Sequence, residues 1–225
     1  MKRERLTHAQ RREQTRERLL GAARKIFLKK GLAASVEDIA EAAGYTRGAF
    51  YSNFHGKPDL LLELLRRDHD SVLAKLQAIM VKGGTPAETK ARAIAYYSRD
   101  SGDQDLFLLW VEAKLLACRD AWFQERFNAF RHEKLEQISA YVSRLSERDG
   151  RPLALQPDAL ALGLVSLCDG VQLSRMCDPE TASDDVTRTV LAGFFSYVLW
   201  PQPEQMQQAD HHAGVDDIRD KRPAR

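Results

Sequence analysis

The sequence predicts an all-α chain in two parts, a small three-helix head containing a helix-turn-helix and a larger helical bundle behind it. Three observations point there. Apolar residues recur at helical spacing from about Gln10 almost to Trp200. Two very short segments on either side of Gly44 read as helices joined by a tight turn. Charge is lopsided: residues 1–57 hold thirteen Lys and Arg against six Asp and Glu, a surplus of seven in a chain whose net charge is only +2. A basic head on a mildly acidic body is the electrostatic footprint of a protein that meets a polyanion at one end.

In chain order, residues 1–9 lack periodicity and are expected to form a mobile basic arm. A helix follows from about Gln10 to Lys30, with Leu19, Ala23, Ile26, Phe27 and Lys30 on one face and Gly31 ending it. Ser35 can accept from the free N–H groups of the next first turn, and Glu37 and Asp38 sit where the helix dipole favours negative charge. Val36, Ile39, Ala40 and Ala43 share the inner face, and Gly44 supplies the left-handed stop. Thr46 is the next N-cap. The helix it opens carries Phe50 and Phe54 four residues apart, facing the core, and leaves Arg47, Gly48, Tyr51 and Ser52 on the other face. That outer face suits a DNA groove: small residues permit close approach, Arg47 offers a donor fork, and Tyr51 offers a hydroxyl for a phosphate. The candidate DNA contacts are Ser35, Tyr45, Thr46, Arg47, Gly48, Tyr51 and Lys57, with Lys2, Arg3 and Arg5 of the arm adding attraction.

Lys57-Pro58-Asp59 starts a long helix, because proline fits the first helical position and an acid there complements the dipole. Leu61, Leu65, Val72, Leu76 and Ile79 continue its stripe to about Val81, making a rod from the head into the bundle. Gly83-Gly84-Thr85-Pro86 is a turn. Helices are then expected over about 87–99, 105–118, 121–147, 157–176 and 183–200, with breaks at 100–103, Asp149 to Pro152, and Asp178-Pro179. The segment 105–118 is apolar nearly all round, as in a helix buried on most sides. Residues 201–225, rich in Pro, Gln, Asp and His, have no apolar face and are expected to be disordered. The boundaries are therefore 1–57 for arm and head, 58–200 for the bundle and 201–225 for the tail.

Gly31, the run Ser35 to Gly44, Ala49-Phe50-Tyr51, Phe54, and Lys57 before a leucine-rich helix resemble the amino-terminal domain of the tetracycline-repressor (TetR) family over about the first 65 residues. The resemblance implies a ligand-responsive transcriptional regulator, most often a repressor, whose carboxy-terminal bundle both encloses an apolar or aromatic effector and dimerises. It also implies that the helices at 157–176 and 183–200 join their symmetry mates in a homodimer bound to palindromic double-stranded DNA. Asn53 departs from the pattern, since many relatives place a histidine before the phenylalanine. Candidate effector contacts are the aromatic residues Phe107, Trp110, Trp122, Phe123 and Phe127, expected to be buried with Phe130, and the polar Glu112, Asp169 and Gln172 among apolar neighbours. Each of these also has a plain reading as core or as an inter-helix hydrogen-bonding group.

Other chemistries find little in the sequence. It has no Gly-rich phosphate loop, no nucleophile elbow and no His/carboxylate cluster at metal-ligand spacing, so no enzyme, cofactor or metal site is expected. The six histidines are expected to be mostly solvated, and His211-His212 lacks a third ligand. Few cysteines, no apolar run of membrane length and no apolar leader suit the cytoplasm. Two alternatives remain open: a redox-responsive regulator using Cys118, Cys168 and Cys177, and an effector-free architectural DNA-binding protein.

Overall fold

The computed structural model describes residues 7–81, 85, 88, 91–92, 104–150, 152–153 and 155–194. Every regular element among them is helical: α1 (His8–Lys30), a 3-10 turn (Gly31–Ala33), α2 (Val36–Ala42), α3 (Arg47–Tyr51), α4 (Lys57–Val81), α5 (Gln104–Ala117), α6 (Ala121–Asp149), α7 (Pro157–Cys177) and α8 (Asp184–Phe194). The first helix starts earlier than its apolar spacing indicates. Gln10 N–H donates to Thr7 Oγ1 at 3.2 Å and Thr7 N–H donates to Gln10 Oε1 at 2.8 Å, a capping box that draws residues 7–9 out of the expected arm. Lys2, Arg3 and Arg5, the side chains of Leu76 and Ile79, most of the helix expected over 87–99, the 100–103 turn, residues 195–200 and the tail lie outside the described residues. Thr85 and Glu88, at the start of that 87–99 helix, exchange hydrogen bonds of 2.8 and 3.3 Å in a second capping box.

The chain divides into two compact units, Met1–Gly83 with Asp100–Lys134, and Gly84–Arg99 with Leu135–Arg225. The head groups with α4, α5 and the front of α6 in the first of these units. In the first unit Leu19, Ala23, Phe27, Ile39, Ala40, Phe50 and Phe54 are buried as expected, joined by Leu20, Leu60, Leu61 and Leu65, while Val36 is only half-buried. In the second unit Ile138 and Val142 of α6, Leu160, Ala161 and Leu164 of α7, and Leu191 of α8 form the core. Two polar links brace it: Ser139 Oγ donates to Asp158 at 2.5 Å, and Arg175 pairs with Asp184 at 2.6 Å. By length and composition alone α7 is apolar enough to cross a membrane, a test that core helices of soluble proteins also pass.

Candidate nucleic-acid interface and aromatic core

The helix-turn-helix is built from local bonds that the sequence dictates. Asp38 N–H donates to Ser35 Oγ at 3.0 Å and Ser35 N–H returns to Asp38 Oδ2 at 2.9 Å, closing a capping box at the start of α2. Lys30 Nζ adds a 2.8 Å bond to the same carboxylate. That bond, followed by those from Ser35, holds the Asp38 carboxyl far below the usual carboxylate range. Gly44 takes φ +75°, which lets Tyr45 N–H turn back to Ala40 O at 2.8 Å. Thr46 then caps α3 by accepting from Ala49 N–H at 3.3 Å. The Thr46 hydroxyl caps through an oxygen lone pair and keeps its O–H to donate, whereas the Ser35 hydroxyl also bonds the Asp38 carboxylate.

Phe50 of α3 and Phe54, three residues past its end, are buried with ring centroids 5.8 Å apart, while Tyr51 is 47% exposed. Arg47 and Gly48 are exposed beside it. The Arg47 guanidinium lies 5.5 Å from the Tyr51 ring and 2.9 Å from Glu37 of α2. Its hydrogen bond with Tyr51, then the charge of Glu37, pushes its pKa further up, so it is cationic at any relevant pH. Thr46, Arg47, Gly48 and Tyr51 thus come together on one exposed surface, with Tyr45 half-buried at its edge. A Cβ at Gly48 would meet only Thr46 Oγ1, at 3.7 Å, so the fold itself does not need glycine there.

Lys57 is placed differently from a plain phosphate ligand. Its Nζ donates to Leu32 O at 2.8 Å and Ala34 O at 2.6 Å, leaving at most one N–H for DNA. Asn53 turns back on α3, donating Nδ2 to Ala49 O at 2.8 Å, and its buried Oδ1 has no partner. Arg12 and Arg16 of α1 have a role that reading them as bulk charge misses. They donate to Ser52 O at 3.4 Å and Asn53 O at 3.1 Å, satisfying carbonyls past the end of α3 and seating it against α1. Their spacing of four on one helix face is the signal that could have found them.

The aromatic set splits on inspection. Phe107, Trp110, Phe123, Phe127 and Phe130 are buried in the first unit, with Trp110 stacked on Phe130 at 5.6 Å and Phe123 on Phe127 at 5.6 Å. Trp122 is instead 47% exposed under Arg126, whose guanidinium sits 4.4 Å from its ring. Lys134 and Arg66 likewise cover the rings of Trp110 and Phe130 at 4.3 and 4.8 Å. Trp110 Nε1 donates to Asp68 of α4 at 2.9 Å. The Glu112 carboxylate accepts Leu32 N–H at 2.8 Å and so is committed to the head. Asp169 and Gln172 are half-buried on α7, in the second unit. His69 is buried edge-on to Phe130, because α4 places it on the face shared with Leu61 and Leu65, whereas His8, His55 and His132 are exposed. Cys118 and Cys177 are exposed and Cys168 is half-buried, none of the three in a disulfide, and the redox reading gains no support.

Residues 19–64 match the family model described as bacterial regulatory proteins, tetR family, and residues 86–198 match that of the BetI-type transcriptional repressor, C-terminal. The chain belongs to the TetR family. This TetR-family chain is 30% identical over 128 residues to the HTH-type transcriptional regulator SrpR of Pseudomonas putida, covering 55% of itself and 60% of SrpR. It thus spans less than two thirds of that relative. Its fold matches a putative transcriptional regulator from Saccharomonospora viridis solved with choline, at TM-score 0.66 and 21% identity, covering 82% of this chain and 97% of that one. It also matches FadR from Bacillus subtilis solved with stearoyl-CoA, at TM-score 0.63 and 17% identity, covering 83% and 98%. TetR-family members are DNA-binding transcription regulators and not enzymes.

Proposed function

We infer that this chain is a ligand-responsive repressor that binds a palindromic operator as a homodimer and leaves it when a small apolar effector binds. The observation that carries the reading is the division across α3 and the residues just past it, with Phe50 and Phe54 buried and Arg47, Gly48 and Tyr51 exposed. Arg47 reads a base edge, Tyr51 and the hydroxyls of Ser35 and Thr46 donate to phosphates, and Tyr45 and the remaining N–H of Lys57 assist. The Arg47–Glu37 pair is solvent-exposed, so exchanging it for DNA costs little.

Dimerisation is supported by exposed faces on two adjacent helices. Ala159, Leu162, Ser166, Gly170 and Leu173 form an exposed stripe on α7, and Val186 and Val190 are exposed on α8. Small residues between apolar ones let helices of two protomers approach closely, and a two-fold would then set the recognition helices about 34–36 Å apart or a near multiple.

The aromatic set of Phe107, Trp110, Phe123 and Phe127 supports an apolar effector. Choline and stearoyl-CoA in the two structural neighbours are chemically unlike. Here the faces of Trp110 and Phe130 already carry the chain's own cations, which disfavours a quaternary ammonium on those rings. Such a regulator acts in the cytoplasm, where its DNA is.

Selection of bound duplexes from random sequence, repeated with panels of apolar and cationic ligands, tests the reading. A site preferred about a thousandfold over random DNA and released by an apolar ligand is the expected result. Binding without sequence preference would leave the architectural alternative standing instead.

A further inference from the structure

The turn between α1 and α2 is gripped from two sides. Glu112, on α5, accepts Leu32 N–H through Oε2 at 2.8 Å. Lys57, in the first turn of α4, donates to the carbonyls of Leu32 and Ala34 at 2.8 and 2.6 Å. The Leu32 peptide groups are thus held by an anion on one helix and a cation on another, both partly buried. Charge-assisted bonds of this kind are stronger than neutral ones, and losing either partner strands a backbone group.

Gly31 is shaped for the anion. Its φ is +59°, and a Cβ there would sit 2.6 Å from Glu112 Oε1, so any side chain would push the carboxylate away. The turn leads directly into Ser35, the N-cap that seats α2. Two residues before Glu112, Trp110 ties α5 to α4 through Asp68. Besides packing on α1 and α6, helix α5 is therefore hydrogen-bonded both to the rod and straight to the turn.

We propose that Glu112 is a positioning residue that couples α5 directly to the helix-turn-helix: by fixing the Gly31–Ala34 turn it sets the seat of α2, so a shift of α5 reaches the DNA-reading helices without passing through α4. This rests on the DNA-binding reading above. Coupling between two places is reciprocal, so DNA on the head must in turn steady α5. That half of the linkage is measurable with no effector in hand.

The probe is a duplex selected in vitro on the full-length chain, and the readout is amide hydrogen exchange at Leu32 and along α5 with and without it. In the unaltered protein the duplex slows exchange at both, by about fivefold or more. In Glu112→Ala, Leu32 exchanges faster in the free protein, the duplex still binds, and its protection of α5 drops to less than about twofold. Glu112→Gln, whose amide oxygen still accepts from Leu32, keeps most of the protection, which a purely space-filling role would not require. If the alanine variant does not fold, Glu112→Met fills the volume without an acceptor and carries the same expectation. A duplex that binds yet protects α5 equally in the unaltered protein and in the Ala or Met variant overturns the coupling alone. A chain that prefers no duplex over random DNA brings down the regulator reading and the coupling together.

Discussion

Gly48 has an exposed position in the first turn of α3 and no neighbour closer than 3.7 Å to where a methyl would go. Glycine inside a helix is a liability of about 0.5–1 kcal/mol relative to alanine. Gly48→Ala should therefore hold or raise the melting temperature while weakening binding to a selected duplex, because the added methyl meets the groove floor. If melting and binding move together, close approach is not why glycine stands there. Arg47→Ala should relax base preference at one position per half-site by roughly tenfold, seen as a reordering of operator variants in a competition assay. Acid provides a third reading. The folded-state pKa of Asp38 lies below its ordinary 3.8, so its contribution is complete above that pH and is lost as the carboxylate protonates below it. Melting temperatures followed from about pH 5 to about pH 2 should fall, and Asp38→Asn should remove part of that slope. Side-chain direction was legible wherever spacing settled it, as for Phe50, Phe54 and Tyr51. Trp122 shows the limit: Phe123, Phe127 and Phe130 already form the inward face of α6, and a residue one position off is rotated by about 100° away from it. The partner of Glu112 lies eighty positions away in sequence, and no periodicity reports a contact of that kind.

Among the elements, α3 is too short to stand by itself and depends on what holds its two ends. Phe50 anchors it from below; Phe50→Ala should cost about 3–5 kcal/mol, measurable by denaturant unfolding, and abolish sequence-specific binding at physiological temperature. Arg12 and Arg16 close its far end through the carbonyls of Ser52 and Asn53. The start of α4 has a similar double duty. Lys57→Ala should weaken DNA binding at every sequence alike, reduce the salt slope by no more than about one charge, and also lower stability, because two carbonyls of the preceding turn lose their donor. A change in affinity with no change in melting would mean the bonds to Leu32 and Ala34 contribute nothing. Element boundaries were readable to within a residue or two where a cap or a proline announced them, at Ser35, Thr46, Pro58 and Pro157. Thr7 escaped notice because its capping box precedes any apolar periodicity.

For the molecule as a whole, the grouping of α4, α5 and the front of α6 with the head was hidden from composition, which reports charge and not contacts. The second unit leaves Leu162 and Leu173 of α7 and Val186 and Val190 of α8 between 41% and 50% exposed. A charge placed there should separate protomers. Val190→Glu is expected to give a monomer by light scattering and, by removing the second recognition helix from the complex, to lower operator affinity far more than it lowers stability. A variant that stays dimeric would move the interface elsewhere.

The two described tryptophans are in opposite settings, and that makes the protein its own optical gauge. Trp110 is enclosed, stacked on Phe130 and bonded to Asp68, whereas Trp122 stands half in solvent beneath Arg126. With Trp122 and Trp200 replaced by phenylalanine, the remaining indole emits from the seam where α5 meets α4. Its colour and its resistance to acrylamide would then follow the movement of that seam as DNA or a small molecule is added, with no dye attached.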